Sequence, residues 1–133
     1  SSPRLINRLG TLYARYGLID QAEGYFRQAA NLEYLPAMVN MGNIYYINED
    51  YNRALSFYEE AHSLNPDNTD VLLSLARASY AIEQYGQAQE YYQVAQLLDP
   101  VRADDYAYIA GSNAQTGRAS DISARSKPIW ADE

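Results

Sequence analysis

Few side chains in this chain are of a type that does acid–base, metal or phosphate chemistry. The candidates are His62, the adjacent pairs Glu59-Glu60 and Asp104-Asp105 among the 17 carboxylates, and seven glycines that could cradle an anion. A catalytic centre needs groups that converge, such as a nucleophile beside a base. Neighbours on a helix point about 100° apart, so the members of Glu59-Glu60 and of Asp104-Asp105 diverge. They read as a solvated helix face and as an acidic first turn favoured by the helix dipole. A lone histidine beside Ala61 reads as a surface or half-buried helix residue. Gly10, Gly17, Gly24, Gly42, Gly86, Gly111 and Gly117 form no phosphate-loop spacing. With no cysteine, disulfides, thiol catalysis and cysteine-ligated zinc drop out together. The expectation is a protein without catalytic residues, metal or cofactor.

Charge narrows the partners. A net charge of −7 opposes nucleic-acid binding, where a basic surface must replace counterions along the phosphates. Lys127 is the only lysine, so there is no polybasic membrane patch. No apolar run approaches the roughly 20 residues that cross a bilayer. Neither nucleic acid nor membrane insertion is expected. Hydrophobic residues make up 47% of the chain, which suits a folded core. Ser1-Ser2-Pro3-Arg4 carries neither an initiator Met nor an apolar signal segment. The sequence therefore reads as a mature or excised piece of a longer protein, with its compartment not encoded.

The elements that would position any site follow from a repeat. Asn65-Pro66 recurs as Asp99-Pro100, 34 residues on, and Ala54, Tyr58 and Ala61 recur as Ala88, Tyr92 and Ala95. Gly42, Ala76 and Ala110 keep the same step, while Gly10, Ala22, Phe26 and Ala29 precede Gly42, Ala54, Tyr58 and Ala61 by 32. The two missing residues fall in a connection between Ala29 and Met38. Met38, Met41, Gly42 and Tyr45 share one helical face, and Ala54, Tyr58 and Ala61 mark the facing stripe of a second helix. The polar turn Asn48-Glu49-Asp50 makes these two helices antiparallel neighbours. Pro66 and Pro100 stop the second helix of their units. Gly42 and Ala54 are expected where backbones approach, with Tyr58 and Tyr92 filling the space between successive hairpins. A single hairpin cannot bury both faces, so the units must stack.

These residues, best displayed from Met38 to Pro66, resemble the tetratricopeptide repeat family over about residues 3–115. The resemblance implies an all-α fold, a right-handed superhelical array of antiparallel helix–turn–helix repeats. On that reading residues 1–133 are a single domain, with repeats at about 3–34, 35–68 and 69–102. An atypical fourth or capping unit follows at 103–127, then a tail at 128–133. The fourth unit keeps Tyr106, Ile109 and Ala110 in register, with Gly117 as its turn, but has Ser126 for its aromatic and Pro128 inside its second helix. Residues 118–127 read as a shortened helix and Pro128-Ile129-Trp130 as a cap over the end. The alternative is that the chain breaks off inside a longer array.

In this family the stripe beside the core lines a concave face where extended peptides bind. Carried onto this chain, that face holds Arg4, Asn7, Thr11 and Ala14, then Val39, Asn40, Asn43 and Tyr46, then Leu73, Arg77 and Tyr80, and finally Ala107 and Gly111. The side chains suit the task. Asn both donates to and accepts from a peptide backbone, tyrosine offers an apolar body with a polar tip, and Arg pairs with carboxylates. The expected function is a scaffold for a protein or peptide partner. A related subgroup clamps the acidic C-terminal tail of heat-shock chaperones. Here the matching positions read Asn7, Thr11, Asn40, Asp70 and Ser74, of which only Asn40 agrees, and Asp70 inverts a charge. That partner is disfavoured. Tyr16, Tyr25, Tyr34, Tyr91 and Tyr108 fall outside the repeat signature. They motivate an alternative, a homo-oligomer assembled through open repeat ends or a tyrosine-rich convex surface.

Overall fold

The computed structural model describes residues 2–111 and 130–132. Among these the secondary structure is helical throughout: α1 (Pro3–Arg15), α2 (Ile19–Asn31), α3 (Leu35–Ile47), α4 (Tyr51–Leu64), α5 (Thr69–Ala81), α6 (Tyr85–Leu98) and the short α7 (Pro100–Ala103), then a 3₁₀ segment, Asp104–Ile109. The chain divides into two compact units, Ser1–Leu64 with Ile129–Glu133, and Asn65–Pro128.

The helices start and stop for local reasons. Pro3, Pro36 and Pro100 lie in first turns, where a missing N–H costs nothing. Asn68 caps α5 by accepting from the Val71 N–H at 3.1 Å. Four helices end in one geometry. Gly17, Glu33, Glu49 and Glu83 have φ of 78°, 58°, 62° and 63°. The next residue's N–H closes back five positions: Leu18 to the Tyr13 carbonyl, Tyr34 to Ala29, Asp50 to Tyr45 and Gln84 to Ser79. This is the Schellman ending, which satisfies carbonyls that would otherwise lack donors. Only Gly17 adopts that backbone without a Cβ penalty; the three glutamates are held there by their flanking helices.

In the first unit α1 packs on α2, α2 on α3 and α3 on α4. Its core joins Ala14, Ala22, Phe26, Met41 and Ile44. Two aromatic rings lie directly over glycines. A Cβ on Gly10 would stand 2.6 Å from Phe26 Cδ1 and Cε1, and one on Gly42 would collide with the Tyr58 ring. Tyr58 makes contacts within its own hairpin. Its ring sits on Gly42 in its own hairpin, and its hydroxyl donates to Asn43 Oδ1 there at 2.5 Å. Gly42 is small to admit a ring, not a second backbone.

In the second unit α5 packs on α6, and α6 on α7. Leu72, Leu73, Ala76, Ala88, Tyr92, Ala95, Ala103 and Ile109 form its core. The expected continuous helix through Tyr106, Ile109 and Ala110 is replaced by the four-residue α7 and the 3₁₀ segment. A 3₁₀ turn repeats every three residues, which brings Ala103, Tyr106 and Ile109 to one side; Ala103 and Ile109 are fully buried. The expected turn at Gly117, the shortened helix 118–127 and Pro128-Ile129 lie outside the described residues. Trp130, expected in a cap, belongs to the first unit. It stacks on Phe26 of the first, ring centroids 5.7 Å apart.

Candidate functional site

The contact made by Trp130 continues along the next two residues, and it involves polar side chains already named from the sequence. Asn7 projects from α1 and Asn40 from α3; both are fully buried. Asn40 Nδ2 donates to Asn7 Oδ1 at 3.0 Å, so the two amides orient one another. Both amide nitrogens also donate to the Ala131 carbonyl, Asn7 at 2.8 Å and Asn40 at 2.7 Å. The Ala131 N–H in turn donates to Asn40 Oδ1 at 2.7 Å. One asparagine thus satisfies both polar groups of one peptide residue, as a neighbouring strand would.

The flanking residues are held by different chemistry. Trp130 packs among the apolar residues of the first core and lies on Phe26 with an interplanar angle of 25°. On the other side the Tyr34 hydroxyl donates to the Asp132 carbonyl at 3.1 Å. Arg15 Nη2 meets Asp132 Oδ2 at 3.1 Å, the Arg15 side chain being exposed and Asp132 half-buried. An exposed pair contributes only about 0–1 kcal/mol. The indole and the two asparagines dominate the contact, and the ion pair trims it.

The other expected site residues are placed as follows. Thr11 is buried on α1 and donates to the Arg8 carbonyl at 2.8 Å. Val39 and Asn43 are buried on α3, with Asn43 accepting from Tyr58. Tyr46 is half-buried and meets the edge of Tyr51 at 5.2 Å. In the second unit Leu73 belongs to the core, Arg77 is 2% exposed on α5, and Tyr80 is edge-on to Tyr85 and Tyr108 at 5.0 and 5.2 Å. Among the described residues, the structure brings Asn7 and Asn40 together around a common chain segment. Asp70 forms an ion pair with Arg102 at 2.5 Å, and this neighbour raises the Arg102 pKa, first through the hydrogen bond and then through its charge.

Sequence reasoning missed Arg15, Tyr34 and Phe26 as contacts of the bound segment. From the sequence, Phe26 reads as a packing residue alone, and Tyr34 as a tyrosine without a repeat role. The one available signal was that Trp130, the only tryptophan, lies beside acidic residues in an otherwise unpatterned stretch. Among the described residues no His, Asp and Glu side chains gather as a metal set, and no helix is long and apolar enough to cross a membrane.

Paired helices of 13 or 14 residues, joined by Schellman turns and locked by an aromatic ring over a glycine, define an all-α helical-repeat protein. Residues 45–110 match the family model described as tetratricopeptide repeat, and over those residues the chain is tetratricopeptide repeat. The first tetratricopeptide domain of Spaghetti (RPAP3), solved bound to the HSP90 peptide SRMEEVD, aligns with a TM-score of 0.74 at 19% identity, over 83% of this chain and 91% of that one. MamA of Desulfovibrio magneticus RS-1, from position 41 onward, aligns with a TM-score of 0.70 at 20% identity, over 93% of this chain and 70% of that one. A double mutant of MamA RS-1 gives 0.71 at 20%, over 92% and 72%. At such identities the likeness is one of fold. No curated protein matches the chain in sequence.

Proposed function

We propose that this chain is a protein-interaction module whose first unit binds an extended segment of a partner protein along α1 and α3, with Asn7 and Asn40 as its anchors. The observation that carries this reading is the double hydrogen bond between Asn40 and the main chain of Ala131. Backbone groups are common to every peptide, so a site that satisfies both groups of one residue suits extended chains in general. Tetratricopeptide repeats support the same class of activity, and the Spaghetti domain is a repeat protein solved with a peptide bound. Thr11, Val39, Asn43 and Tyr46 extend the proposed face along the same two helices, while Leu73, Arg77 and Tyr80 belong to the second unit. A chaperone tail is not the proposed ligand, because the family's cationic clamp positions here carry Asp70, already paired with Arg102, and Ser74.

Peptide display tests the reading. A random library is selected on the full chain carrying Trp130→Ala, which frees the face. Enriched peptides are expected to lose binding when Asn40→Ala is added, with the circular dichroism of the two proteins the same. Enriched peptides that bind undiminished without Asn40 would place the interaction elsewhere and sink the proposal.

A further inference from the structure

We infer that the first unit selects an aromatic residue followed at the second position by a carboxylate, and that the chain's own Trp130-Ala131-Asp132 is a resident copy of this motif which a partner segment must displace. This rests on the peptide-binding reading above and adds what the site selects and what occupies it.

Three observations converge. The indole of Trp130 enters the apolar cluster around Phe26, Met41 and Ile44, a place that rewards a large flat ring and little else. The following residue is gripped by main-chain groups alone, through Asn7 and Asn40, so its side chain is unspecified. The carboxylate of Asp132 then falls on Arg15. Charge favours the same choice beyond that single pair. In a chain of net charge −7, α1 holds Arg4, Arg8 and Arg15 and no acidic residue. Their spacing of four and seven residues puts all three within about 40° of one another around the helix, and all three are exposed. An exposed arginine stripe beside the anchoring asparagines steers an acidic segment and repels a basic one.

Occupation by a segment of the same chain has a calculable effect. A tethered copy acts at an effective concentration on the order of millimolar. If the tail's own intrinsic affinity is about 10 µM, a free segment binds roughly a hundredfold more weakly to the intact chain than to one with an open face. The tail is therefore a filter: weak segments are excluded, and only a partner with a better motif or a higher local concentration enters.

The probe is the peptide Ser-Lys-Pro-Ile-Trp-Ala-Asp-Glu, blocked at both ends and fluorescently labelled, titrated by anisotropy into the full chain and into the full chain with Trp130→Ala and Asp132→Ala. The open variant is expected to bind at least tenfold more tightly than the unaltered chain. Alanine in place of the peptide's tryptophan should weaken binding to the open variant at least tenfold. Asparagine in place of its aspartate should weaken it two- to fivefold, an effect that added salt removes. Equal affinity for both proteins, or no binding to the open variant, overturns the inference. Because Trp130 also packs on the core, Asp132→Arg serves as a second variant that keeps the indole and sets like charges against Arg15. It should raise peptide affinity two- to fivefold, and an unchanged affinity counts against the tail as occupant. A dimer in sedimentation that Trp130→Ala dissolves would show exchange between copies and overturn occupation within one chain. If displayed peptides require Asn40 yet lack the aromatic-x-acid pattern, the motif fails while the binding face stands.

Discussion

Asn40 on α3 and Ala131 near the C-terminal end of the sequence exchange two hydrogen bonds, each 2.7 Å long, across 91 positions of chain. The Ala131 carbonyl takes a second donor from Asn7, so both of its lone pairs are engaged. Buried polar groups satisfied this fully are costly to disturb, since removing one partner strands the others. That cost is what turns a side-chain amide into an anchor for a peptide backbone.

Asn40→Ala should release the segment. With Asn7 Oδ1 and the Ala131 N–H stripped of their Asn40 partner, the expected loss of stability is about 1–3 kcal/mol. Trp130 is the chain's only tryptophan, so its emission reports this contact alone. The emission should move to longer wavelength while the far-ultraviolet circular dichroism stays the same. An unchanged emission maximum would show that Asn40 does not hold the segment.

Glycines separate into two kinds. Gly10→Ala and Gly42→Ala should each destabilise by about 1–3 kcal/mol, because the new methyl meets the ring of Phe26 or Tyr58 in a filled core. Gly24 on α2 and Gly86 on α6 have open space where a Cβ would stand. Alanine there should stabilise by up to about 1 kcal/mol through helix propensity. Urea denaturation of the four variants checks both signs, and a uniform response would contradict the ring-over-glycine account.

Much of the fold was legible because it is periodic. The 34-residue step, the small-residue ladders and the prolines at positions 66 and 100 placed the hairpins, since a helix must repeat its apolar face and a proline must break it. What stayed hidden was aperiodic. Glu33, Glu49 and Glu83 look like ordinary surface residues, yet they take the left-handed turns that glycine usually fills. The 3₁₀ segment still buries Ile109 but leaves Ala110 exposed, although Ala110 is in step with the buried Ala76, so the repeat pattern does not announce it. Asn7 and Asn40 entered through family resemblance, whereas Arg15, Tyr34 and Phe26 could not, because they are defined by a segment 98 to 117 positions away that has no periodicity to align.

Those left-handed glutamates carry a prediction. Glu49→Gly and Glu83→Gly should each stabilise the protein by about 0.5–1 kcal/mol. Relief of the Cβ penalty outweighs the extra entropy that glycine gives the unfolded chain. Thermal denaturation should show higher midpoints for both; a lower midpoint for either would mean the turn is held by its side chain.

Tyr92 gives the stability a dependence on alkaline pH. Its phenol pKa is raised, mainly by burial and further by the negative charge of Asp104. A group whose pKa is higher folded than unfolded contributes stability fully below its unfolded value, and loses it as pH rises through the folded one. Stability should therefore fall above about pH 10, the unfolded tyrosine range. Tyr92→Phe should flatten that decline, and an equally steep decline in the variant would assign it to other groups.

The most direct measurement removes one hydrogen from the ligand. The peptide Ser-Lys-Pro-Ile-Trp-Ala-Asp-Glu is compared, by calorimetry against the full chain carrying Trp130→Ala and Asp132→Ala, with the same peptide N-methylated at its alanine. N-methylation deletes the amide donor that faces Asn40 Oδ1 and leaves every side chain unchanged. The expected result is a loss of at least about tenfold in affinity, the scale of one buried hydrogen bond with its partner left unpaired. Equal affinity for the two peptides would contradict main-chain recognition by Asn40.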